Sequence, residues 1–126
     1  MEVVIVDGAN VMGSRPDGWW RDRAGAARRL HDQLSATDVA DADQDEIVLV
    51  LEGNARRGRR AGQEGHVRTV HAARSGDDAI VDEVHSQVAV EDGRGVTVVT
   101  ADRALRDRVK AAGAGSRSPR WLLDQL

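Results

Sequence analysis

The strongest constraint on the fold is residues 3–13, VVIVDGANVMG. Val3, Val4, Ile5 and Val6 form an unbroken β-branched run, which suits a strand buried on both faces, as in a parallel sheet. The run stops at Asp7, and Gly8 lets the backbone turn. A carboxylate at the carboxyl end of a central strand stands where open α/β sheets place their ligands. Asn10, three residues on, reaches the same spot. The competing reading is a plain cap, because Asp often opens a turn or helix.

The rest of the chain alternates strand and helix patterns. Residues 14–18 (SRPDG) read as a loop, and residues 20–35 as a helix with Ala27, Leu30 and Leu34 on its apolar side. Residues 36–45 are polar and loop-like, and 46–51 (EIVLVL) are a second buried strand, ending in Glu52 and Gly53. Residues 54–65 (NARRGRRAGQEG) read as a mobile basic loop carrying Arg56, Arg57, Arg59 and Arg60. Residues 66–72 alternate as a short strand near a sheet edge. Ser75 and Asp78 fit a capping box for a helix with Ile80, Val84 and Val88 on one stripe, ended by Gly93 and Gly95. Residues 96–101 (VTVVTA) form another buried strand, followed by Asp102 and a helix over 103–112. Ser118 and Pro119 open a last short helix that carries Trp121, Leu122, Leu123 and Leu126 into the core.

This order predicts one α/β domain over residues 1–126, a mainly parallel central sheet of four to five strands with helices on both faces. A chain of 126 residues is long enough to bury a core, which in the absence of Phe and Tyr must be Val, Leu, Ile and Ala. There is no apolar run of about 18 residues and no signal-peptide pattern, so a cytoplasmic protein that avoids membranes is expected. With no cysteine, disulfides and thiolate metal sites are excluded. The formal charge of −3 argues against a broadly basic surface, so nucleic acid would need a local patch.

Three buried strands end in acids, Asp7, Glu52 and Asp102, and the helix bearing Asp77 and Asp78 starts at the same edge. Asp82 follows Asp78 by four residues, on the same helix face. Crowded carboxylates repel, and a divalent cation relieves them. Oxygen donors select Mg²⁺ or Mn²⁺ rather than zinc. His31, His66, His71 and His85 form no metal motif. Metal held by acids suits phosphoryl chemistry. Arg103 and the segment Arg56, Arg57, Arg59 and Arg60 are candidates for phosphate contacts. Trp19 and Trp20 are candidates for stacking on bases, although one of the pair is expected to pack on the core.

Taken in order, VDGANVMG, SGDDAIVDE and VVTADR resemble the NYN domains of the PIN-like nuclease superfamily, most closely the small single-domain YacP-like group. The resemblance covers nearly the whole chain. It implies a PIN-like three-layer sandwich, a divalent metal and endoribonuclease activity. It also implies hydrolysis by direct attack of water, leaving a 5′-phosphate. The family's acidic positions fall on Asp7, on Asp77 or Asp78 (by the spacing to Ile80, Asp77), and on Asp102, with Asp82 as a fourth acid; Asn10, the polar partner, and Thr100, in the small hydroxyl position, are also expected to contact substrate.

The expectation is therefore a metal-dependent ribonuclease. Asp7, Asn10, Asp77, Asp78 and Asp102 are its catalytic candidates, and Asp7, Asp77, Asp78, Asp82 and Asp102 its metal ligands. RNA is the expected partner, and a homodimer or an RNA-processing protein is compatible with it. Two other classes stand beside it. One is an RNA-binding or assembly module with a vestigial acidic site. The other is a small-molecule phosphohydrolase with Asp7 as nucleophile, disfavoured because Ala9 stands where such enzymes carry a second Asp.

Overall fold

The computed structural model describes residues 2–37, 45–90 and 93–126. Of the polar stretch 36–45, residues 38–44 lie outside the described residues. The elements are β1 (Glu2–Asp7), α1 (Gly8–Gly13), α2 (Arg23–Ala36), β2 (Glu46–Leu51), β3 (Gly62–Glu64), β4 (Val67–His71), α3 (Gly76–Val88), β5 (Gly95–Val99), α4 (Arg103–Ala111), β6 (Gly115–Arg117) and α5 (Pro119–Leu123). Short 3₁₀ segments occupy Trp19–Arg21 and Gly53–Gly58.

The sheet runs β3-β4-β2-β1-β5-β6, six strands rather than the expected four to five. All pairings are parallel except β3 with β4. The short strand β6 stands before the last helix, where the sequence leaves room for one, and the unexpected strand is β3, three exposed residues too short and too polar to show in the hydrophobic pattern. Because β3 pairs outside it, β4 lies one strand in from the edge.

Alternation along the strands divides the core in two. Val4, Val6, Ile47, Leu49, Leu51 and Val67 face α1, α2 and α5 through Val11, Leu30, Leu34 and Leu122. Val3, Ile5, Val48, Val50, Val96 and Val98 face α3 and α4 through Ile80, Val84, Leu105 and Val109. The result is a three-layer α/β sandwich with an aliphatic core.

Residues 8–13 form a helix that Asp7 caps by accepting the Asn10 N–H, the helix start that the capping reading of Asp7 allows. The absent Cβ of Gly8 lets α1 lie directly on the sheet, since a Cβ there would stand 2.6 Å from the Val50 carbonyl oxygen. Residues 54–65 are not a free loop. The 3₁₀ segment buries Ala55 and Gly58, and a Cβ on Gly58 would collide with the Ala24 carbonyl oxygen of α2. The Arg56 guanidinium also donates to the carbonyls of Gly53 and Ala72, at 3.1 and 3.4 Å. The helix expected over 20–35 begins later, at Arg23, where Asp22 caps it by accepting the Gly25 N–H.

Candidate active site

Strand order and register assemble the acids. The connection leaving β1 runs towards β2, and the one leaving β5 runs towards β6, so the order reverses between two neighbouring strands. Open α/β sheets bind ligands outside the carboxyl ends at such a point. Val6 pairs with Val99, which brings Asp7 beside Thr100, while Asp7 pairs with Val50, which sends Glu52 just past it. Asp7 continues the side-chain face of Val3 and Ile5, Glu52 that of Val48 and Val50, and Thr100 that of Val96 and Val98. All three therefore turn towards α3 and α4, where Asp77 lies in the first turn of α3 and Asp102 is the capping residue of α4.

Each acid is held by the backbone around it. Asp7, only 6% exposed, accepts the Thr100 hydroxyl at 2.9 Å on one oxygen and the Asn10 N–H at 3.4 Å on the other. The Thr100 Oγ1 also accepts the Asp102 N–H at 3.1 Å, linking the two acids through one hydroxyl. Asp102 caps α4 by accepting the Leu105 N–H at 2.9 Å. Glu52 accepts the Gly76 N–H at 2.7 Å at the start of α3. The Asn10 side-chain carbonyl accepts the Ala101 N–H at 2.9 Å, clasping α1 to the β5–α4 turn.

The electrostatics record the crowding. Burial pushes the Asp7 carboxyl above its usual range; the bonds from Thr100 and Asn10 oppose this, and the charges of Asp77 and Glu52 add to it. The Asp77 carboxyl is also pushed up, first by burial and then by the charges of Asp102 and Glu52; Arg108 opposes this, and Asp78 adds to it. The charges of Glu52 and Asp102 thus reach Asp77, and those of Asp77 and Glu52 reach Asp7, four acids from four parts of the chain. Among the described residues no three such side chains stand close enough to ligate one ion together. The donor set still fits a hard cation, because Mg²⁺ keeps several waters and uses one or two carboxylates.

The Asp77–Asp78 pair, of which the spacing to Ile80 makes Asp77 the acid matched by the resemblance, divides in the structure the same way. Asp77 faces the acids, whereas Asp78 is exposed and pairs with Arg108 at 2.9 Å. Asp82 lines a separate outer groove with Asp78, Arg74 and Ser75, away from Asp7 and Asp102. Thr100 is fully buried and lies behind the acids, so its hydroxyl acts on Asp7 and not on a substrate. Glu52, which the sequence reading counts as a strand-end acid but leaves out of the site, belongs to the cluster. Its place follows only from the register of β2.

Two grooves flank this edge. One, of about 340 Å³, is lined by Ala9, Trp19, Arg23, Glu52 and Arg74 among others. The other, of about 460 Å³, includes Arg15, Ala101, Ser118 and Arg120. Trp19 packs on the core, with the Arg23 guanidinium 5.0 Å over its ring, while Trp20 is 54% exposed and meets Trp19 edge-on at 6.0 Å. Arg103 is exposed in the first turn of α4, next to Asp102. Arg57, Arg59 and Arg60 line neither groove; they surround a third cavity with His31 and Thr69. The ring nitrogens of His66 and His71 lie 3.1 and 2.7 Å from the backbone carbonyls of Leu34 and Arg59, a structural role. No helix among the described residues is long and apolar enough to cross a membrane.

Comparison with known proteins agrees with this architecture. The family model for the YacP-like NYN domain matches residues 4–126. The crystal structure of Rae1 (YacP) from Bacillus subtilis is similar in fold, with a TM-score of 0.66 at 18% identity, covering 98% of this chain and 72% of that one. A point mutant of the same protein gives a TM-score of 0.65 at 18% identity, covering 98% and 74%. No curated protein matches the chain. The three-layer sandwich and the match over almost its full length place the chain in the nuclease-like family of YacP-like NYN domains.

Proposed function

We propose that the protein is a metal-dependent endoribonuclease that hydrolyses RNA phosphodiester bonds at the carboxyl edge of its sheet. One observation carries the reading: Asp7, Glu52, Asp77 and Asp102, far apart in sequence, gather where the strand order reverses, and the carboxyls of Asp7 and Asp77 are pushed up there, first by burial and then by neighbouring acids. A fold gains no stability from that repulsion, whereas a bound cation would turn it into affinity. No more than two of Asp7, Asp77 and Asp102 would bond Mg²⁺ or Mn²⁺ directly, with the third and Glu52 acting through its waters and completing the negative field. The ion, when bound, supplies charge neutralisation at the scissile phosphate and lowers the pKa of a bound water.

The chain's own groups do the rest. Thr100 and the Asn10 N–H fix both oxygens of Asp7. Asp77, half-buried and with its carboxyl pushed up, is suited to accept a proton from the attacking water. Water adds to phosphorus, the bond to the 3′ oxygen breaks, and the products are a 3′-hydroxyl and a 5′-phosphate. Arg23 and Arg74 in one groove, Arg15 and Arg120 in the other, and the exposed Arg103 next to Asp102 supply cations along the strand's path. Trp19 is available at the wall of the first groove for a base. Grooves on both sides of the acids suit cleavage within a strand.

A second reading has its own support. Asp7, Asp102 and Glu52 each accept a backbone N–H at a helix start, so the acids also have a purely structural use, as in an RNA-binding module. The deciding experiment is cleavage of single-stranded and structured RNA with Mn²⁺ by the wild type, Asp7→Asn and Asp102→Asn. The nuclease reading expects activity in the wild type alone. Equal activity in all three points to another site or a contaminant. No activity, with no heat of metal binding by calorimetry, leaves the binding module.

A further inference from the structure

We propose that the cavity between α2, β4 and the 57–64 segment is a second site, which binds a phosphate monoester independently of the acidic edge. It encloses about 460 Å³, within the range of small-ligand sites. Three arginines, Arg57, Arg59 and Arg60, line it against one acidic residue, Glu64. The Thr69 side chain, 2% exposed, also lines it, and its hydroxyl finds no hydrogen-bond partner among the described residues. A buried hydroxyl without a partner costs about 1–3 kcal/mol, so a sheet position that keeps Thr in place of Val calls for a reason. A polar ligand provides one. The His31 ring, also 2% exposed, lies in the same lining.

The walls are fixed before any ligand arrives. Gly58 is seated against the Ala24 carbonyl, which docks the segment onto α2, and Arg56 ties its start to Gly53 and Ala72. β3 closes the far side by pairing with β4. Arg59 is paired with Glu64, which is largely exposed, so an incoming phosphate exchanges one carboxylate for its own oxygens. Guanidinium forks match phosphate oxygens in pairs, and a hydroxyl donor adds direction. The cavity shares no lining residue with the grooves beside the acids, and β4 lies two strands from β1. The phosphate can belong to a free nucleotide or to the end of an RNA strand.

The test is binding in EDTA, where the acidic edge repels phosphate and only the basic cavity attracts it. Probes are inorganic phosphate, adenosine 5′-monophosphate, and one short RNA with either a 5′-phosphate or a 5′-hydroxyl. Adenosine monophosphate is expected to bind and to raise the melting temperature. Arg57→Gln/Arg60→Gln and Thr69→Val should each weaken it about tenfold, and Glu64→Gln should tighten it severalfold by freeing Arg59. Thr69→Val should also melt no lower than the wild type, because it removes an unpaired hydroxyl. A 5′-phosphate RNA binding at least about tenfold tighter than its 5′-hydroxyl twin would identify a strand end as the source, while equal binding of the two RNAs beside retained nucleotide binding would identify a free nucleotide. No binding of any phosphate probe at millimolar concentration, or binding untouched by the arginine and Thr69 substitutions, would overturn the site. Neither result bears on cleavage at Asp7, which is assayed separately.

Discussion

Asp7 is buried among groups that disfavour its charge, and this sets how its replacement should behave. Its folded-state pKa lies above the ordinary 3.8, so the folded protein binds that proton more tightly than the unfolded chain does. Stability from this source is therefore gained as pH falls through the raised value and lost as pH rises through it. The same sign holds for Asp77. Asp7→Asn should accordingly abolish cleavage by more than about 100-fold, beyond what loss of an outer partner of a metal ligand costs, without lowering the melting temperature at neutral pH. Its melting temperature should also respond less to mild acidification than that of the wild type. A variant that melts well below the wild type at pH 7 would show Asp7 to be chiefly a cap. Thr100 gives the opposite pattern, since its hydroxyl serves both Asp7 and the Asp102 N–H. Thr100→Val should cost about 1–3 kcal/mol in chemical denaturation and push the Asp7 carboxyl further up, moving the acid limb of the pH–rate profile to higher pH. Thr100→Ser, which keeps the hydroxyl, should restore most of both.

At the scale of elements, α1 is the piece that turns a strand end into a site. Six residues long and capped by Asp7, it carries Asn10 to the β5–α4 turn. Its seat depends on the close approach of Gly8 to the Val50 carbonyl. Gly8→Ala should destabilise the fold by about 1–3 kcal/mol through overpacking. If α1 sets the site, cleavage should fall more than the loss of folded protein explains, measured as activity per folded molecule. The helix escapes a sequence reading because so short a segment shows no apolar period, and its glycines at both ends look like a turn. The basic segment 54–65 escapes for a related reason. Glycine and arginine suggest mobility, but Gly58 is small so that two backbones can touch, and Arg56 is bonded to carbonyls.

For the whole molecule, the division of charge matters more than the total. The net charge of −3 is low for a nucleic-acid-binding protein, and the acidic edge concentrates negative charge where catalysis is proposed. Relief of that repulsion predicts that Mn²⁺ or Mg²⁺ stabilises the protein. At a hundredfold excess over Kd the gain is about 2.7 kcal/mol, a rise in melting temperature on the order of 10 °C for a domain of this size, reversed by EDTA. The effect should shrink in mild acid, where Asp7 and Asp77 take up protons, and should nearly vanish in Asp7→Asn. A metal-induced rise of the same size in that variant would place the ion elsewhere.

The amino-acid order by itself determined the layers, the parallel core strands, the aliphatic composition of the core and the family motifs, because these rest on periodicity and on residues adjacent in the chain. It also marked Asp7, Glu52, Asp77, Asp78 and Asp102 as acids near one edge, though it left Glu52 out of the site. Only the tertiary structure decided which of them meet. Asp77 and not Asp78 faces the cluster, Glu52 joins it, Asp82 stays outside, and Thr100 stands behind Asp7 rather than beside a substrate. The physical reason is register: a strand shifted by one residue turns its terminal side chain to the opposite face of the sheet. No spacing within one segment encodes how that segment aligns with its neighbours.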